Sequence, residues 1–98
     1  APPYALRVDY AGRTIAYSGD TEWTEALVDV SRDTDLFICE AYFYDKRVKF
    51  HLDYTTLESQ RARLSCRRLV VTHMNQDMIS HLSRLRVEAA YDGMVIRL

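Results

Sequence analysis

Three short apolar runs constrain this chain more than anything else in it: TIAYS (14–18), DLFIC (35–39) and RLVVT (68–72). Each is followed by a loop and then by residues at helical spacing. A strand–helix–strand succession favours parallel pairing through right-handed crossovers, because antiparallel neighbours would need only a tight turn. DLFIC and RLVVT are continuous rather than alternating, as expected of strands covered on both faces.

The flanking segments complete the pattern. YALRVDY (4–10) alternates in the manner of a strand, AGR makes a turn, and residues 4–18 therefore read as a hairpin. TEALVDVSR (24–32) predicts a helix with Ala26, Leu27 and Val30 inward, Thr24 as N-cap and Glu25 in the first turn. AYFYDKRVKFHL (41–52) has no clear period and reads as a loop. Thr55 and Glu58 have capping-box spacing and start a helix that runs to about Leu64. NQDMISHLSRL predicts a third helix, capped by Asn75, with Met78, Leu82 and Leu85 inward. VEAAY-DG-MVIRL closes the chain as a hairpin around Asp92-Gly93. The expected fold is α/β (α+β): a mixed sheet with helices, in one unit over residues 1–98. The helices are too few to shield both faces, so the sheet is expected to need a further layer from outside this chain.

Bulk properties narrow the function classes. The 98 residues allow one domain at most, and the formal net charge of -1 gives no electrostatic case for nucleic acid or an anionic membrane. Arg61, Arg63, Arg67 and Arg68 read as a solvated face. No apolar run is long enough to span a bilayer, and APPY opens the chain without a leader pattern. Cys39 and Cys66 match no zinc-ribbon or redox spacing; reduced, buried thiols in a cytoplasmic protein are expected.

The chemistry sits where the strands end. Ligands of parallel α/β sheets gather beyond the carboxyl ends of the strands. Those ends here read SGD, CE and TH, giving Asp20, Glu40 and His73. Singly, each has an ordinary reading: an Asx-turn or helix cap for Asp20, a solvated carboxylate for Glu40, a half-buried histidine for His73. Together, on adjacent strand ends, they point to a site able to bind metal or transfer protons. His51, in the loop before the second helix, is placed to reach the same edge. His81 lies four residues after Asp77 and is expected to make a surface pair without function. Trp23 and the Tyr42-Phe43-Tyr44 loop either shape a substrate mouth or pack between layers.

GRTIAYSGDTEWTEAL, DLFICEAYF, HLDYTTLESQRARL and RRLVVTHM, in that order, resemble the second half of the metallo-β-lactamase-fold hydrolases, nearest the ribonuclease Z-type branch. The resemblance implies a four-layer αββα sandwich of which this chain is the C-terminal αβ half. It implies that Asp20 bridges two metal ions, usually zinc, and that His73 is a ligand to one of them. It further implies that Glu40 and His51 form a proton-handling pair. The family takes most of its ligands from an H-x-H-x-D-H motif, and no H-x-H occurs here. Asp20 and His73 are two protein ligands, whereas a catalytic zinc takes about three. A protein roughly twice as long is therefore expected, its N-terminal half covering the open sheet face, or self-association in its place.

On this reading the parent is a (di)zinc hydrolase acting on a phosphodiester or another small-molecule ester, and the isolated chain is inactive. Two alternatives stand beside it: a degenerate, non-catalytic scaffold, and a flavodoxin-like signalling domain with Asp20 as a lone phosphoacceptor.

Overall fold

In the computed structural model, which describes residues 5–98, the three apolar runs lie side by side in one five-stranded sheet. Strands β1 (Leu6–Tyr10) and β2 (Arg13–Tyr17) form the antiparallel hairpin, with Leu6 opposite Tyr17. Its two-residue connection, Ala11-Gly12, has φ of 51° and 79°, the left-handed pair that a twisted hairpin turn requires. Tyr4, the first residue of the expected strand, lies outside the described residues. β3 (Leu36–Glu40), β4 (Leu69–Thr72) and β5 (Glu88–Ala89) then add in parallel, in chain order. A flavodoxin-like sheet places its second strand outside its first, so this sequential order removes that alternative.

Three short helices connect the parallel strands: α1 (Glu25–Ser31), α2 (Tyr54–Gln60) and α3 (Gln76–Ile79). Leu27, Leu57 and Met78 from these helices share one buried cluster with Ala16, Phe37, Cys39, Leu69 and Val71 from the strands. Side chains alternate across a strand, so these strand residues mark one face, and all three helices lie on it. On β1 that face carries Arg7, whose guanidinium donates to the carbonyls of Val30 and Arg32. The opposite face carries Leu6, Val8 and Tyr10, which are 57%, 56% and 81% exposed. The expectation of an open sheet face holds on this hairpin.

Several local expectations are corrected. Asp53, not Thr55, caps α2: its carboxylate accepts from the Thr56 N–H (3.0 Å) and from both threonine hydroxyls (2.7 Å each). A carboxylate two residues earlier displaces the weaker hydroxyl cap. The α-helix ends at Gln60, and a single 3₁₀ turn, Arg61–Arg63, follows. Thr24 has the extended backbone of an N-cap, but its side chain makes no capping bond. Asn75 does cap α3, accepting from the Met78 N–H at 3.0 Å. That helix is only four residues long, a 3₁₀ turn over Leu82–Arg84 follows, and Leu82 is exposed rather than inward. Asp92-Gly93 does turn the chain, with Met94 N–H donating to the Tyr91 carbonyl, yet among the described residues no second strand pairs with β5. β5 is only two residues long, too few to template a hairpin on its outer edge.

Among the four arginines, Arg63 pairs with Glu25, Arg68 with Glu88 at 2.6 Å, and Arg67 stands 3.9 Å from Asp35. They form a solvated, partly neutralised face. No helix among the described residues is long and apolar enough to cross a membrane.

Candidate active site

The register carries the ends of β2, β3 and β4 to one edge of the sheet, with Tyr17 beside Ile38 and Glu40 beside Thr72. Beyond β2 the ladder continues for one residue, Ser18 N–H donating to the Ile38 carbonyl at 3.0 Å. The buried Ser18 hydroxyl then donates to the Gly19 carbonyl and accepts the N–H of Glu40, each at 2.9 Å. Gly19 adopts φ 70°, a left-handed conformation that glycine takes without steric penalty. The chain thereby turns out of the sheet and delivers Asp20 at its rim.

Glu40 is the buried centre of the site, with no exposed surface. Its Oε2 accepts the backbone N–H groups of Thr21 (3.1 Å) and Leu52 (3.3 Å). Its Oε1 makes a short hydrogen bond with Nδ1 of His51 and lies 3.2 Å from Nδ1 of His73. A buried carboxylate needs this degree of satisfaction, because an unpaired charge there is strongly disfavoured. The same bonds hold three chain segments at fixed distances.

His73 Nδ1 faces two carboxylates at once, Asp20 Oδ1 at 2.8 Å and Glu40 Oε1 at 3.2 Å. His73 itself has φ 55°, as does Phe50, just before His51, at 67°. Left-handed backbone at non-glycine residues concentrates at functional sites, where the surroundings over-determine it. Both imidazoles are partly exposed, His51 at 30% and His73 at 40% of side-chain surface, so solvent and small ligands reach them.

Negative charge gathers here. Burial, then the charges of Asp20 and Glu40, push the Tyr17 phenol above its ordinary range. Burial pushes the Cys39 thiol up to about 12; the nearby Glu40 charge acts in the same direction, and a hydrogen bond with Ser18 opposes it. Cys39 is thus an inert core thiol, whereas Cys66 is only half-buried, contrary to the expectation for both.

One ligand atom each from Glu40, His51 and His73 lie within 4.8 Å of one another, a candidate metal-binding cluster. Both Glu40 oxygens already hold N–H groups, so the freer carboxylate is Asp20, half-exposed and in contact with the same His73 nitrogen. A carboxylate oxygen and an imidazole nitrogen are donors that several divalent metals accept.

No family model matches the chain. An uncharacterised protein of Mycobacterium leprae is 35% identical over 94% of the chain, and ribonuclease Z of Methanosarcina acetivorans is 36% identical over 76%. The solved metallo-β-lactamase fold protein YhfI of Bacillus subtilis superposes on 88% of the chain with a TM-score of 0.66, at 22% identity. The fold is that of the metallo-β-lactamase proteins, and the sequence kinship is to ribonuclease Z. The chain spans about a third of the mycobacterial relative (34%) and about a quarter of the ribonuclease Z (26%), less than the half anticipated from the family pattern. It covers 40% of YhfI.

Within this metallo-β-lactamase-fold chain, all four principal residues singled out in the sequence, Asp20, Glu40, His51 and His73, meet at one rim. Trp23 packs partly on the core, with the Arg63 guanidinium 6.0 Å from its ring. It also lines, with His51, Arg47 and Gln60, an open cavity of about 320 Å³. The aromatic loop divides: Tyr44 packs between Tyr54 and His81, while Tyr42 stacks on His51. His81 meets Asp77 as expected, its Nδ1 bonded to the Asp77 carbonyl at 2.8 Å and 4.0 Å from the carboxylate, and it also stacks on Tyr44. Sequence reasoning missed Ser18 and the separate place of Tyr42. The Ser-Gly turn signalled the first; nothing local distinguishes Tyr42 from Tyr44.

Proposed function

We propose that this chain is the C-terminal αβ half of a metal-dependent hydrolase acting on phosphodiesters, with Asp20 and His73 as metal ligands and Glu40–His51 as its proton-handling pair. The supporting observation is the convergence of these four side chains, from four segments, at the carboxyl ends of three adjacent strands. A divalent metal, two zinc ions on the family pattern, would supply Lewis acidity that activates water near neutral pH and polarises the scissile bond. Asp20 presents a carboxylate oxygen at the solvent rim, and His73 an imidazole beside it. Glu40 holds Nδ1 of His51, which fixes the tautomer and leaves Nε2 as the nitrogen that exchanges a proton with a leaving oxygen. The cavity bordered by Trp23, Arg47 and Gln60 adjoins His51 and gives the leaving group a place to lie. Other protein ligands and the cover for Leu6, Val8 and Tyr10 come from residues beyond this chain, in the other αβ half, and the setting is cytoplasmic.

The direct check is hydrolysis of bis(p-nitrophenyl) phosphate by the full-length protein before and after chelation. Turnover falls at least about tenfold when the metal is removed, and zinc restores it. Undiminished turnover in fully metal-depleted protein contradicts the proposal. A protein with neither bound metal nor activity would be the non-catalytic scaffold.

A further inference from the structure

Tyr42 joins the two histidine loops through its ring and its peptide together. The ring stacks on His51 with centroids 4.5 Å apart and planes 23° from parallel. Its side meets His73 at 5.2 Å and 68°. Its backbone N–H donates to the carbonyl of Leu52, next to His51, at 2.8 Å. Its carbonyl accepts from Asn75, two residues after His73, at 2.9 Å. The Tyr42 hydroxyl takes no part in the hydrogen bonds that hold Glu40, His51 and His73. The ring, stacked on His51 and edge-on to His73, is therefore the feature that acts on both imidazoles.

An imidazole held at one nitrogen can still tilt about that hydrogen bond, and a ring stacked on its face removes the tilt. Two of the loop residues concerned, Phe50 and His73, sit in left-handed backbone that relaxes unless neighbours hold it. We propose that Tyr42 is the positioning residue of this site: its ring fixes the plane of His51 against Glu40 and its spacing from His73, 5.6 Å between ring centroids. The inference rests on His51 acting as the proton donor; its structural part is measurable without turnover.

The experiment compares Tyr42→Phe and Tyr42→Leu in the full-length protein, reading kcat and KM on diuridine monophosphate. The low-field proton resonance of the His51–Glu40 hydrogen bond is followed alongside. Tyr42→Phe keeps the resonance and kcat within about twofold, because the face is retained. Tyr42→Leu lowers kcat by about 10–100-fold with KM changed by less than about threefold, as for lost orientation of a reacting group, and the resonance broadens or disappears. Wild-type kcat and resonance in Tyr42→Leu overturn the proposal, as does loss in Tyr42→Phe equal to that in Tyr42→Leu. If the leucine variant does not fold, the phenylalanine variant decides by the same two readouts. Separately, undiminished kcat in His51→Ala would end the proton-donor reading, while the resonance of the Tyr42 variants would still report on positioning.

Discussion

Asp20→Ala in the full-length protein lowers turnover by roughly 10³-fold and removes bound metal, while leaving the fold intact. The magnitude follows from losing several kcal/mol of transition-state stabilisation, at about 1.36 kcal/mol per decade of rate. The intact fold follows from place: the Asp20 side chain is 53% exposed, and its recorded side-chain contact is with the partly exposed His73. Substitutions at such surface positions usually change stability by less than about 0.5 kcal/mol. Turnover and metal content measured on one preparation therefore separate a ligand from a structural carboxylate. Unchanged metal content would remove Asp20 from the metal site.

Glu40→Gln has the second large effect, and its logic lies in counting donors and acceptors. Glu40 Oε2 accepts two backbone N–H groups, and Oε1 meets His51 Nδ1. A glutamine offers one oxygen and one NH₂ in the same space. If its oxygen serves Thr21 and Leu52, the NH₂ faces His51 and forces Nδ1 to become an acceptor, the reverse tautomer. If the amide is turned over, two buried N–H groups confront a third donor. Either way proton donation suffers, by about 10²–10⁴-fold in kcat. Stability falls by about 1–3 kcal/mol in the second arrangement, the cost of unpaired buried groups. The substrate series gives the sharper reading. The loss is largest for diuridine monophosphate, whose alkoxide leaving group needs a proton, and small for bis(p-nitrophenyl) phosphate, whose phenolate does not. Equal losses on both substrates would assign Glu40 a purely structural role.

Much of this was legible because burial writes itself into local sequence. DLFIC and RLVVT lack alternation because strands β3 and β4 lie inside the sheet, and their acidic and histidine ends mark the edge where loops converge. The place of His51 in the loop before the second helix put it within reach of that edge, whereas its pairing with Glu40 came only from the resemblance. Failures came where a local rule was overridden by another feature of the chain. Asp92-Gly93 turns the chain, but β5 is only two residues long, and a turn signal says nothing of strand length. Thr55 has capping-box spacing, but the carboxylate of Asp53 is nearer the free N–H groups. Tyr42 and Tyr44 are two residues apart and chemically alike, yet one packs on His51 and the other on His81. Only the three-dimensional path of the 41–52 loop separates them.

The proposed function depends on Asp20 and His73 sharing one cation. X-ray diffraction from crystals of the full-length protein, recorded at the zinc absorption edge, measures this directly. An anomalous peak about 2.0–2.2 Å from both an Asp20 oxygen and a His73 nitrogen is the expected result. Zinc-loaded protein whose peak lies elsewhere, with Asp20 and His73 bonded only to each other, would contradict it.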